Sequence, residues 1–191
     1  MKFFNFLPII AVVGITTSTQ AEPLFVQMGY ASLKHNLQAS NIAINSDVDQ
    51  VTAVVGYQIH PNIVVEGLLG LGMSNKDFLK TNTNTYSNKI NNMFGIYVKP
   101  KFDITDTLSF NARVGYSQAT LEITDRTSTA ERKLAYTSSG LSYGVGLSYA
   151  VQESLNINLD YMVFGGNLMG LNDANGSADF SGFNLALDYK Y

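Results

Sequence analysis

From Leu24 onward apolar and polar residues alternate with period two, in eight segments at roughly 24 to 33, 48 to 60, 63 to 73, 89 to 102, 108 to 122, 134 to 151, 154 to 165 and 178 to 191. Such alternation predicts strands with one apolar face, because successive side chains of a strand point to opposite sides. The last segment is the most regular: in GFNLALDYKY, Phe183, Leu185, Leu187, Tyr189 and Tyr191 form an unbroken apolar stripe. The same parity elsewhere collects residues such as Met28, Tyr30, Val55, Leu69, Ile96, Val114, Leu147 and Leu159, with no Asp, Glu, Lys, Arg or His among them. The opposite parity gathers glycines, including Gly29, Gly95, Gly144 and Gly146, together with Gln50, Asn111, Asn156 and Asn158.

The connections alternate in length. Those at 60 to 62, 103 to 107 and 152 to 153 are tight turns, whereas 34 to 47, 74 to 88, 123 to 133 and 166 to 177 are long and polar. An oily outer face, a small and polar inner face and this asymmetry of loops predict an all-β fold, an eight-stranded antiparallel up-and-down transmembrane β-barrel with short periplasmic turns. A soluble barrel with the apolar face turned inward would need abundant Lys and Glu outside, and the Gly- and Asn-rich parity does not supply them. Aromatic rings fall near strand ends, as interfacial girdles require: Tyr57, Phe102, Phe110, Tyr149 and Tyr191 on the periplasmic side, Tyr30, Phe94, Tyr116, Tyr143 and Phe183 on the outer side. Pro100 interrupts the fourth strand and predicts a bulge there, since it removes a ladder donor.

Composition narrows the picture further. Charged residues are 14% of the 191, against roughly 25% in soluble domains, and aromatics reach 12%. No segment after the first 21 residues approaches the roughly 20 consecutive apolar residues of a membrane helix. Cysteine is absent, which removes disulfides, thiolate metal sites and a Cys nucleophile, and a net charge of −3 gives no reason for a nucleic-acid partner. The first 21 residues, with Lys2, an apolar run from Phe3 to Gly14 and small residues Thr19 and Ala21 before the cut, predict a cleaved signal peptide, leaving 22–191 as the barrel domain.

Four stretches, GLSYGVGLSY at 140 to 149, GIYVKPKF at 95 to 102, SFNARVGY at 109 to 116 and NLALDYKY at 184 to 191, carry a family likeness. They resemble the small eight-stranded barrels of the OmpA-type transmembrane domain and the OmpX/Ail group, over essentially the whole chain after the leader. The resemblance implies residence in the outer membrane, and insertion by the outer-membrane assembly machinery through a C-terminal aromatic signal formed by Phe183, Leu185, Leu187, Tyr189 and Tyr191. A terminal Phe is the more usual ending, so Tyr191 is a mild departure. The chain is expected to lack the periplasmic peptidoglycan-binding domain of full-length OmpA.

Ionisable residues on the inner parity are Glu66, Lys99, Lys101, Arg113, Asp160, Asp188 and Lys190. An eight-stranded interior is filled by side chains, so Glu66, Lys99, Arg113, Asp160 and Asp188 are expected to pair, directly or through trapped water, as a polar plug. Candidate chemistry is sparse. His35 is expected in an outer loop and His60 at a periplasmic turn, neither beside the Ser and acid of a hydrolase. The stretch 172 to 179 offers Asp173, Asn175 and Asp179, but its glycine spacing departs from a calcium loop. Lys76, Lys80 and Lys89 could touch lipopolysaccharide phosphates or a host surface. No catalytic, cofactor or metal residue is predicted. The expected partners are outer-membrane lipid, lipopolysaccharide and a host or phage ligand at the loops of a monomer. Two roles follow: a non-enzymatic surface barrel for envelope integrity or adhesion, and a narrow channel for small solutes.

Overall fold

The computed structural model describes residues 24–39, 42–73, 75–81, 84–127, 130–169 and 177–191; the first 21 residues, where a signal peptide is expected, lie outside them. Its strands are β1 (Leu24–Ala39), β2 (Ile42–His60), β3 (Ile63–Gly72), β4 (Lys76–Lys80), β5 (Asn84–Asp103), β6 (Leu108–Thr127), β7 (Glu131–Gln152), β8 (Leu155–Phe164), β9 (Asn167–Met169) and β10 (Ser177–Lys190). Eight long staves follow one another in the order β1-β2-β3-β5-β6-β7-β8-β10, every pairing antiparallel, and β10 returns to β1 through Phe25↔Lys190 up to Gln38↔Ser177. Closure leaves the membrane-spanning wall without a free edge, as lipid requires.

Alternation places the two faces as expected in this wall. Met28, Val55, Leu69, Ile96, Val114, Leu147 and Leu159 are exposed outward, while Gln27, Thr52, Glu66, Asn111, Asn158 and Asp160 are buried inside. The interfacial rings Tyr30, Tyr57, Phe94, Phe102, Tyr116, Tyr143 and Tyr149 are likewise exposed.

Two expectations are corrected. Most of the long polar connections are wall rather than loop. β1 and β2 continue to a tight end at Ala39↔Ile42, β6 and β7 to Arg126↔Glu131, and β4 and β5 fill much of 74 to 88. The pattern hides these extensions because it inverts beyond the bilayer: Leu33, Leu37, Val48, Leu121 and Phe180 face inward, while Lys34, Asn36, Asp47 and Gln118 face out. Once water replaces lipid outside, an apolar residue is stabilised only by pointing in.

The second correction concerns Pro100. The registers Val98↔Val114 and Lys101↔Asn111 are continuous across it, so β5 carries no bulge there, and the adjoining Lys101 amide reaches Asn62 O at 2.9 Å instead. The bulge in β5 lies between Ile90 and Asn92. It switches the inward parity from Met93, Gly95 and Tyr97 to Ile90 and Asn88, all five buried.

Above the bilayer the wall becomes two facing sheets. One is β2-β1-β10, paired up to Gln38↔Ser177; the other is β4-β5-β6-β7. On one side β9 joins them, pairing with both β7 and β10. Opposite, among the described residues, no ladder links β2 to β4. That seam is held by the Lys76–Asp49 ion pair at 2.6 Å and the Met73 amide on Asp49 O at 3.0 Å. Leu33, Leu37, Val48 and Phe180 of the first sheet meet Ile90, Met93, Leu121 and Tyr136 of the second, forming one apolar cluster.

Candidate functional site

The lumen at mid-membrane is organised by Arg113 on β6. It needs partners because a guanidinium brought out of water without them costs several kcal/mol. Its Nε donates to Glu66 Oε2 at 2.6 Å, its Nη1 lies 2.5 Å from Asp160 Oδ2, and its Nη2 donates to Gln27 Oε1 at 3.3 Å. Lys99 completes the group, its Nζ 3.1 Å from Glu66 Oε1 and 5.4 Å from the Phe25 ring centroid. Four of the five predicted luminal charges are therefore brought into one network across β3, β5, β6 and β8. Asp188 is buried in the same lumen nearer the periplasm, but its Oδ1 has no hydrogen-bond partner. Glycine makes the network possible: a Cβ at Gly146 would collide with Asp160 Oδ1 and lie 3.0 Å from Asn111 Oδ1.

Gln27 was not singled out by sequence reasoning. Its neighbours on the inner parity were the only available signal, since an uncharged amide looks like ordinary luminal filler. The apolar layer over the network was missed as well. Leu68, Tyr97 and Met162 stand one inward position further out than Glu66, Lys99 and Asp160 on their own strands, Val54 pairs with Gln27, and all are buried. Tyr97 lies across Gly95 and Gly115, where any side chain would strike its ring. Space differs sharply on the two sides of the network. Toward the periplasm an open polar cavity of about 470 Å³ is lined by Lys101, Asp103, Ser109, Asn156 and Lys190, among others. On the other side, a cavity lined by Arg113, Thr52, Leu68, Met162 and Asn184, among others, is about 10 Å³, room for one water at most.

His35 departs from its expected loop position. It is 1% exposed and stacked on Phe180 with centroids 4.7 Å apart. Its position follows from β1 continuing past the bilayer with odd residues still inward. His60 stays at the exposed turn, its Nδ1 accepting the Asn62 amide at 3.3 Å. Asp173 and Asn175 lie outside the described residues, while Asp179 accepts the Gly166 amide at 3.2 Å. Among the described residues no group of three or more His, Asp or Glu is placed to hold a metal. Of the loop lysines, Lys76 is engaged by Asp49, Lys89 is half-buried on β5, and the Lys80 side chain lies outside the described set. Phe183, Leu185, Leu187, Tyr189 and Tyr191 are all exposed along the outer face at the C-terminal end of the chain.

A closed ring of eight staves, oily outside and ion-paired within, agrees with a family model described as outer membrane protein beta-barrel domain, which matches residues 7–191. The chain belongs to that family. This outer-membrane barrel has solved structural neighbours. Ail, the attachment invasion locus protein of Yersinia pestis, is 14% identical, with 90% of this chain and 100% of Ail covered and a TM-score of 0.57. Neisserial surface protein A is 13% identical, with coverage of 90% and 99% and a TM-score of 0.58. OprG from Pseudomonas aeruginosa is 11% identical, with coverage of 90% and 96% and a TM-score of 0.58. At these identities the likeness is one of fold. Among curated proteins no sequence matches the barrel.

Proposed function

We propose that this barrel is a non-enzymatic scaffold of the outer membrane whose extracellular half is a folded head for surface contact, serving adhesion, host contact or envelope integrity. The observation that carries this reading is that side chains fill the lumen at two levels, in the Arg113 network and in the layer that begins with Val54, Leu68, Tyr97 and Met162. A conducting path would need water through both. The neighbour Ail has been solved with a heparin analogue, at 12% identity and a TM-score of 0.54, so a barrel of this fold can present a ligand-binding surface. For this chain the partner's chemistry rests on the outer faces of β1, β2, β6 and β7, where cations and carboxylates alternate: Lys34, Asp47, Arg126 and Glu131 are exposed.

Single-channel recording of the refolded barrel in planar bilayers tests the reading. Electrical silence is expected, and a steady conductance that rises with salt would replace the scaffold with the narrow channel, for which the 470 Å³ periplasmic mouth is the favouring observation. Adherence and detergent resistance of cells lacking the protein should fall, and return with the wild-type chain.

We also assign the outward stripe Phe183, Leu185, Leu187, Tyr189 and Tyr191 as the signal read by the assembly machinery. Deleting Tyr191 should slow insertion into the outer membrane, and Tyr191→Phe should not.

A further inference from the structure

His35 sits where the two extracellular sheets meet. It belongs to β1, yet both ring nitrogens face the opposite sheet: Asn88 Nδ2 of β5 lies 3.1 Å from Nδ1, and the Tyr136 hydroxyl of β7 lies 3.3 Å from Nε2. Ser46 of β2 approaches Nδ1 at 3.4 Å and accepts from Asn88 Nδ2 at 2.5 Å. The imidazole thus clasps one sheet to the other. Its faces are apolar, with Phe180 stacked at 14° and Tyr136 at 28°.

Among the described residues no carboxylate faces this ring. β2 presents Ser46 and Val48 while Asp47 and Asp49 point outward; β5 presents Asn88 and Ile90. β6 presents Leu121 and Ile123, with Glu122 held outside by Lys133 at 3.0 Å and Asp125, further along the strand, accepting from Asn84 Nδ2 at 3.3 Å. β10 presents Ala178 and Phe180, with Asp179 turned to the Gly166 amide. Among the described residues the titratable group in contact with the ring is Tyr136, and burial pushes its phenol up, so it stays protonated in acid. Among the described residues an imidazolium here would have no carboxylate partner, and at 1% exposure it would be cut off from solvent.

We propose that the extracellular head is an acid-released clasp: protonation of His35 parts the two sheets along the unladdered β2/β4 seam while the membrane-spanning wall stays folded. The level is extracellular, because the wall beside it carries Lys34, Asn36 and Asp47 on its outer face. β9 bridges the opposite side, so the β2/β4 side is the one free to open.

The direction follows from proton linkage. Burial lowers the closed-state imidazole from 6.5 to about 4, and an opened head returns it to water. The closed head keeps this stability above pH 6.5 and loses it as the pH falls toward 4. Between pH 7.5 and 4.5 the opening equilibrium should rise on the order of seventyfold, taking 6.5 for the open and about 4 for the closed imidazole. The seam ion pair does not compete in that window, since Lys76 holds the Asp49 carboxyl below the usual carboxylate range.

The absence of cysteine makes the test direct. Spin labels on Asn45→Cys of β2 and Asp77→Cys of β4, both exposed positions, report the seam by pulsed dipolar spectroscopy in lipid nanodiscs at pH 7.5 and 4.5. With His35 present, the distance distribution should lengthen and broaden at pH 4.5. With His35→Gln it should be the same at both. An unchanged distribution with His35 present, or an equal acid response in His35→Gln, overturns the clasp. If His35→Gln does not refold, the imidazole NMR titration of the wild-type chain decides: a His35 midpoint well below 6.5 is expected, and a midpoint near 6.5 overturns the clasp.

Discussion

The membrane half and the extracellular half of this barrel are built from the same strands and solve opposite problems. Within the bilayer Met28, Ile96 and Leu147 face lipid, and Glu66, Arg113 and Asp160 fill the interior. A few residues further along the same strands the polarity reverses, with Lys34, Asp47 and Gln118 outside and Leu33, Val48 and Ala119 inside. The backbone does not register the change, apart from the Ile90/Asn92 bulge that turns Ile90 and Asn88 inward. Solvent decides which face is the core. One half is held by a desolvated ion network whose members depend on one another; the other is held by dispersed apolar packing, where each side chain contributes roughly 1.5 to 3 kcal/mol.

Truncating the hub of the ion network should give the largest effect. Arg113→Ala leaves Glu66 and Asp160 as buried anions with Lys99 as the remaining cation of the network. It should cost on the order of 3 to 5 kcal/mol in urea unfolding of the refolded barrel, followed by its heat-modifiable gel band. An unchanged midpoint would mean that the lower lumen is wet enough to solvate both carboxylates, and the contrast between halves would fail.

Packing is more local. Leu121→Ala opens a void in the fully buried extracellular cluster and should cost about 3 kcal/mol. That loss should appear as faster amide exchange in β5 to β7 beyond Ile90, with the membrane half still protected and the gel band still shifted. Equal loss of protection in both halves would show one cooperative unit instead of two.

The membrane half was legible from alternation alone, because lipid imposes one rule on every strand. Its strand pairing, its outer face and the inward parity of Glu66, Lys99, Arg113, Asp160 and Asp188 follow from period two. The extracellular half was not, because its apolar residues sit on the parity that the membrane half assigns to Gly and Asn. Leu33 therefore read as the last residue of the first strand and Leu37 as part of a loop. The Ile90/Asn92 bulge hid Ile90 for the same reason: it shifts phase without any Gly or Pro to mark it. His35 was misplaced because its strand was ended too early. Asp188 shared the inner parity of the network residues but not their height, and height depends on strand tilt, which alternation does not encode.

A milder perturbation separates geometry from charge within the membrane half. Gly146→Ala removes no charged group, but the added Cβ would push Asp160 away from Arg113. A cost of about 1 to 3 kcal/mol is expected, the range for overpacking a filled interior. In the Arg113→Ala background the same change should cost less, since there is no longer a pair to distort; equal costs in both backgrounds would show that Gly146 is needed for backbone packing alone.

The smallest effect belongs to the seam, and it bears most directly on what holds the extracellular half shut. Lys76 is 43% exposed and Asp49 13%, at a separation of 2.6 Å. A pair this wet is worth about 0.2 to 1 kcal/mol, because solvent screens it and ordering the lysine costs entropy. Lys76→Ala should therefore leave urea unfolding of the membrane half unchanged, and raise exchange in β2 and β4 slightly. Near 1 M salt the wild type should match the variant, since screening then acts over about 3 Å. If Lys76→Ala instead loosened the head as much as Leu121→Ala does, the two sheets would be held by their one charged seam, and the apolar cluster between them would be filling without being glue.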